Sequence, residues 1–152
     1  MGSTYSYHDA SIIDLKTSGW GNVIIGHSPH ITTLILELTH PKFDEIYSKI
    51  ELNQPYTIKY KYRHDRLYLE DLMEPRIYRM KGEIINFLDI SKEIDSEIPV
   101  YQLIFSKVCD KRIVTLNKNN EFQIGFRYTI EYTLWRDVFY KVKYYLATHQ
   151  YM

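Results

Sequence analysis

The amino-acid sequence predicts a β-dominated α+β fold of about eight strands and two helices. Three observations lead there. Residues 56–63 alternate cleanly, with Tyr56, Ile58, Tyr60 and Tyr62 pointing one way and Thr57, Lys59, Lys61 and Arg63 the other, which is the period of a half-buried strand. Helical spacing governs only two windows, near 41–50 and 135–148. The chain also echoes itself. Tyr56-Thr57-Ile58-Lys59-Tyr60 returns 72 residues later as Tyr128-Thr129-Ile130-Glu131-Tyr132, with Asp65 and Tyr68 recurring in step as Asp137 and Tyr140. A Gly-started apolar run precedes each copy, Gly21-Asn22-Val23-Ile24-Ile25 and then Gly82-Glu83-Ile84-Ile85. Two β-rich halves, 11–74 and 76–148, inside one compact domain 1–152 would explain both echoes. Chance recurrence of abundant Tyr, Ile and Lys would explain them too.

Residues 1–10 are polar and read as a flexible N-terminus. Residues 11–15 form a short strand, broken by Ser18-Gly19-Trp20-Gly21, and a second strand over 22–26 ends at the turn His27-Ser28-Pro29. Residues 31–38 are apolar and β-branched, the profile of a strand buried on both faces. The clearest helix follows. Thr39 or His40 caps it, Pro41 takes the first helical position, and Asp44 and Glu45 sit near the positive dipole end. Phe43, Ile46, Tyr47 and Ile50 make its apolar face, and Asn53-Gln54-Pro55 ends it. His64-Asp65 then turns strand 56–63 into strand 66–72, a hairpin.

Beyond Pro75, residues 77–90 read as a long or bent strand interrupted at Gly82. An acidic loop covers 91–97, strands 100–108 and 112–116 pair, Asn117-Lys118-Asn119-Asn120 turns, and 121–134 closes the sheet. The last window fits two templates. As a strand, Val138, Tyr140, Val142 and Tyr144 would alternate. As a helix, Leu134, Trp135, Val138, Phe139, Val142, Tyr145 and Leu146 share one face. The helical template takes in more of the apolar residues and meets no Gly or Pro, so it predicts a C-terminal helix over 135–148.

At 152 residues the chain can bury a sizeable core, and 45% hydrophobic content excludes disorder for most of it. The 19 basic and 19 acidic residues cancel, which argues against a dedicated duplex-DNA binder. Cys109 stands alone, so no internal disulfide forms and a reducing compartment is expected. No apolar stretch approaches ~18 residues, so no membrane association is expected, and Met1-Gly2-Ser3-Thr4 opens no signal-peptide core. The expected location is intracellular, in cytoplasm or nucleus. The Ile-, Lys- and Tyr-rich, Pro-poor text, with 15 tyrosines, suggests an AT-rich coding genome such as that of a virus or plasmid, which extends the expected location to an infected host cell.

In the first half the order is strand, strand, strand, short helix, strand, strand, with the fourth strand entered through Leu52-Asn53-Gln54-Pro55-Tyr56. In the second half, Lys81-Gly82-Glu83-Ile84-Ile85 looks like a glycine-bearing first strand, and Ile124-Gly125-Phe126-Arg127-Tyr128 like the entry to a fourth. The order resembles the OB-fold over residues 11–134, a five-stranded barrel with a helix between its third and fourth strands. That resemblance implies binding of single-stranded nucleic acid by aromatics and a basic groove. The residues themselves supply Lys59, Lys61 and Arg63 on one strand face, Arg66 across the turn and Tyr68 beside it, the expected nucleic-acid-binding set. Their plainer reading is the solvated face of an amphipathic hairpin, with Tyr56, Tyr60 and Tyr62 as core. Arg76, Arg79 and Lys81 could extend the stripe, or pair with Glu70, Asp71 and Glu74. The competing function is a protein–protein interaction or structural module with no nucleic-acid role, assembling as a homo-oligomer through the helical face of Trp135, Val138, Phe139 and Val142.

No catalytic residue, metal or cofactor is assigned. Pro29-His30-Ile31-Thr32 looks like one half of the 2H phosphoesterase signature, but that signature needs His-x-Thr/Ser twice, and neither His64 nor His149 is followed by it. His27, His30 and His40 lack the paired spacing of a zinc site, with Asp9 or Asp44 needed to complete one. Cys109 reads as a small buried apolar residue.

Overall fold

The computed structural model describes residues 4–28, 32–116 and 122–148. These form β1 (Ser6–Thr17), β2 (Val23–His27), β3 (Thr32–Leu36), α1 (Phe43–Lys49), β4 (Pro55–Arg63), β5 (Arg66–Met73), β6 (Ile77–Asp89), β7 (Tyr101–Phe105), β8 (Arg112–Thr115), β9 (Arg127–Arg136) and β10 (Phe139–Thr148). The chain divides into two compact units, Met1–Arg76 with Leu134–Val138, and Ile77–Thr133 with Phe139–Met152. Among the described residues no helix is long and apolar enough to cross a membrane.

In the first unit the strands close a barrel in the order β1-β2-β3-β5-β4, with α1 between β3 and β4, an order compatible with an OB-like fold. β1 is long enough to serve two neighbours. Its first half pairs with β4 from Ser6↔Tyr60 to Ser11↔Pro55, and its second half pairs with β2 from Ile12↔His27 to Thr17↔Val23. Residues 6–10 are therefore part of a strand and not a loose terminus. β3 runs parallel to β5 through Leu34↔Leu67 and Ile35↔Tyr68. Ile12, Ile25, Leu34, Leu36, Ile58, Leu69 and Leu72 fill the interior, and Ile46 of α1 joins them. The helix starts at Phe43, two residues later than Pro41 predicts, because a turn closed by Phe43 N–H on the His40 carbonyl (3.0 Å) precedes it.

The β4–β5 register shifts between Lys59 and Tyr60, so that Lys59 opposes Asp71 while Tyr60 opposes Leu69. The extra residue, Glu70, is a β-bulge, and it lets Leu67, Leu69 and Leu72 all face the core despite their mixed spacing. Tyr56 and Tyr60 pack inward as expected, but Tyr62 is 67% exposed.

The second barrel closes as β10-β8-β7-β6-β9. Counted from its own first strand, that is the order of the first barrel. The registers repeat too. Ser6↔Tyr60 and Ala10↔Tyr56 return as Tyr78↔Tyr132 and Gly82↔Tyr128, each shifted by 72. Both first strands carry an irregularity at the same place, between Ile12 and Asp14 and between Ile84 and Asn86. A small residue faces three of these tyrosines, Ser6 opposite Tyr60, Ala10 opposite Tyr56 and Gly82 opposite Tyr128, whereas Tyr132 faces Tyr78. At Gly82 a Cβ would sit 3.0 Å from Phe105 Cδ1 and 3.1 Å from Met80 Cε, so the interior is already full there. The Gly-started runs do not correspond, since Gly21 leads into a second strand and Gly82 lies within a first. The strand 77–90 is continuous through Gly82. The predicted turn at 117–120 lies outside the described residues.

The C-terminal helix is not formed. β9 runs to Arg136, Asp137 (φ 54°) and Val138 turn the chain, and β10 returns as a strand parallel to β8 through Phe139↔Arg112, Tyr140↔Ile113 and Lys141↔Val114. A helix here would satisfy its own backbone but leave β8 and β9 as open edges. The strand closes the barrel and satisfies both. The helical face offered for self-association goes with it, since Phe139 is buried and Val138 sits on the turn.

The two β4–β5-type hairpins differ in one respect. The first turns at His64-Asp65, both at positive φ, joining Arg63 to Arg66. The second turns one residue later in the repeat, at Asp137-Val138. A one-residue slip exchanges the faces of a strand. Tyr68 consequently lies on the outer face, whereas Tyr140 packs against the core at the place Leu67 takes in the first barrel.

Candidate nucleic-acid interface

The five residues expected to bind nucleic acid lie on the outer β4–β5 face of the first barrel, yet little of their charge is free. The Lys59 ammonium stands 4.4 Å from the Tyr5 ring centroid. Lys61 pairs with Glu70 at 3.8 Å. Arg63 donates to Glu37 at 2.8 Å, which raises its already high pKa, and its guanidinium covers the Tyr68 ring at 4.1 Å. Lys49 of α1 completes the row by donating to Asp71 at 3.3 Å. Arg66 opposes Arg63 across the turn and is exposed.

His40 closes the same ladder. Its Nδ1 accepts the Lys42 backbone N–H at 2.9 Å, which leaves the ring proton on Nε2, 3.4 Å from Glu70. The face is thus an alternation of acid, base and ring in which Lys49, Lys61 and Arg63 are paired with carboxylates and Lys59 lies over a ring. The second basic cluster is also tied down, since Arg79 binds Glu131 and Arg76 lies 5.2 Å from the Tyr7 ring. Glu131 stands where the first copy of the echo has Lys59, and its partner is Arg79.

Two residues read in the sequence as loop and as core are the exposed aromatics of the first barrel's ends. Trp20, 82% exposed, caps the β1–β2 loop. The loop is pinned beneath it. Ser18 Oγ accepts the N–H groups of Trp20 (3.3 Å) and Asn22 (3.1 Å), Gly21 takes φ 83°, and Asn22 Oδ1 accepts Leu38 N–H at 2.9 Å. Tyr62 stands at the end of β4, its hydroxyl donating to Asp65 at 3.0 Å. The signal for Trp20 was its place between two glycines. Tyr62 gave none, because it shares the parity of Tyr60 and differs from it only in standing at the end of β4.

The corresponding loop of the second barrel, residues 90–100, carries Glu93, Asp95 and Glu97 against Lys92. Glu93 accepts two hydrogen bonds from Arg112 (2.6 and 3.1 Å), which hold its carboxyl below the usual range.

Among the described residues no three His, Cys, Asp or Glu side chains gather to hold a metal ion. His30 and His149 lie outside the described residues, and His64 occupies the β4–β5 turn. Cys109 is partly buried, its Sγ 3.8 Å from Met80 Sδ. Comparison with known protein families, with curated proteins and with solved structures finds no match to the chain.

Proposed function

We propose that the first barrel binds single-stranded nucleic acid by stacking bases on Trp20 and Tyr62, with Arg66 reaching a phosphate. The observation that carries this reading is the placement of two exposed aromatics on the β1–β2 loop and at the β4–β5 hairpin. Those are the loops through which OB-like barrels take oligonucleotides. Stacking is sequence-tolerant because every base has a π-face, so little sequence preference is expected. The interface is placed at the ends of the strands that carry Lys59, Lys61 and Arg63, because Lys61 and Arg63 are already paired with Glu70 and Glu37 and Lys59 lies over the Tyr5 ring.

The test is titration of a labelled oligothymidylate at low salt, followed by anisotropy and by quenching of Trp20 emission. Absence of both signals ends the proposal. Internal pairing of the cations on the outer β4–β5 face supports a second reading, a protein-interaction module. On that reading Trp20 anchors a protein partner and the oligonucleotide titration is flat.

A further inference from the structure

In the second barrel, Tyr78 of β6, Tyr132 of β9 and Tyr140 of β10 converge. Tyr78 and Tyr132 stack with centroids 5.7 Å apart, and Tyr140 stands nearly perpendicular to both, at 5.7 and 6.0 Å. Into the corner between Tyr78 and Tyr140 runs Lys111, from the residue before β8. Its ammonium lies 4.5 Å from the first centroid and 5.7 Å from the second, with the Asp110 carboxylate at 3.5 Å. We propose that this corner is a recognition site for a methylated ammonium group, occupied in the ligand's absence by the chain's own Lys111.

The barrel does not require the arrangement. At the equivalent positions the first barrel carries Ser6, Tyr60, Leu67 and Thr32, which form no such cluster. Tyr140 reaches the corner only because the β9–β10 turn slips by one residue. Perpendicular aromatic rings with a carboxylate nearby are the ingredients of a cation cage, and the ring quadrupole favours a cation that sheds water easily. A primary ammonium is strongly hydrated, and the Lys111 side chain is only 23% exposed. A methylated ammonium gives up less hydration on entering the same corner and presents more surface to the rings, so it is the better-fitting occupant.

The experiment compares choline with 3,3-dimethylbutanol, its neutral isostere, by calorimetry on the full chain and on Lys111→Ala. Lys111→Ala is expected to bind choline about tenfold tighter than the unsubstituted chain, and about tenfold tighter than it binds the isostere. Adding Tyr140→Ala should remove the gain. A Lys111→Ala chain that binds choline no better than the parent, or binds both probes equally, overturns the proposal. A readout on the unsubstituted chain covers the case in which the variant does not fold. The Lys111 side-chain protons, shifted by the rings, should move toward random-coil values as choline is added, and their staying fixed at saturating choline is equally decisive against it. A trimethyl-lysine peptide run in parallel distinguishes a partner's side chain, which would bind tighter than choline, from a free small cation, which would not. The result leaves the nucleic-acid reading of the first barrel untouched.

Discussion

Tyr62 and Arg63 are neighbours on β4 and behave in opposite ways. Arg63, the obvious phosphate contact, is committed to Glu37 and to the Tyr68 ring, whereas Tyr62 projects into solvent. The expected mutational pattern follows. Trp20→Ala and Tyr62→Ala should each weaken oligonucleotide binding about tenfold or more, at ~1–3 kcal/mol per stacked base. The melting temperature should scarcely move, because neither side chain is core. Lys61→Ala and Arg63→Ala should change affinity far less, and Arg63→Ala should cost at most ~1 kcal/mol of stability, the worth of an exposed pair. Anisotropy and thermal melts on the four variants check this, and a large affinity loss confined to Arg63→Ala would point back to the basic stripe.

Tyr132 offers a separate test. Only 5% exposed, its hydroxyl is pushed up to about 12 by burial, and then by Cys109 and Asp110. The folded state holds that proton where the unfolded chain releases it at about 10. Its stability contribution is therefore complete below pH ~10 and is lost as pH rises through about 12. Tyr132→Phe should flatten this part of the alkaline unfolding curve, as followed by circular dichroism from pH 9 to 12.

Elements depend on where turns and bulges fall. His64 and Asp65 both occupy left-handed backbone, at φ 52° and 61°, a conformation that Asn-Gly adopts with less strain. Replacing the pair by Asn-Gly should stabilise the chain by about 0.5–1 kcal/mol, a rise of roughly 1–4 °C in melting temperature. No gain would mean that the two side chains contribute contacts that offset the strain. Gly82 tests the opposite effect. Gly82→Val drives two methyl groups toward Phe105 and Met80 where even a Cβ is tight, and overpacking of this kind costs about 1–3 kcal/mol. Ala10, its counterpart in the first barrel, already accommodates a Cβ beside Tyr56, so the penalty belongs to the Phe105 side of the site.

For the whole molecule, two interior clusters that share no residue predict two separable responses. Ile58 belongs to one and Ile130, its counterpart 72 positions later, to the other. Ile58→Ala and Ile130→Ala should each cost about 2–5 kcal/mol locally. Native-state hydrogen exchange should show the first loosening β1–β5 amides and the second loosening β6–β10 amides. Uniform loosening by either change would show that the two cores unfold as one.

The β-dominated class, the 56–72 hairpin, the short helix and the 72-residue echo were all legible in the sequence, because local alternation, caps and turn residues write themselves into neighbouring positions. Residues 135–148 were not. Their apolar residues satisfy helical and strand spacing alike, and what chose the strand was the open edge of β8, distant in sequence, together with that of β9. The surroundings of the candidate site were hidden for a related reason. Alternation correctly put Lys59, Lys61 and Arg63 on an outer face, but Glu37, Glu70 and Tyr5, which neutralise or cover them, arrive from other strands and an adjoining segment. The inward turn of Tyr140 comes from a one-residue slip, and the Tyr62 exposure from its place at the end of β4. Period-two patterning specifies a strand's two faces, but which of them becomes the inside is settled only when the strand is paired.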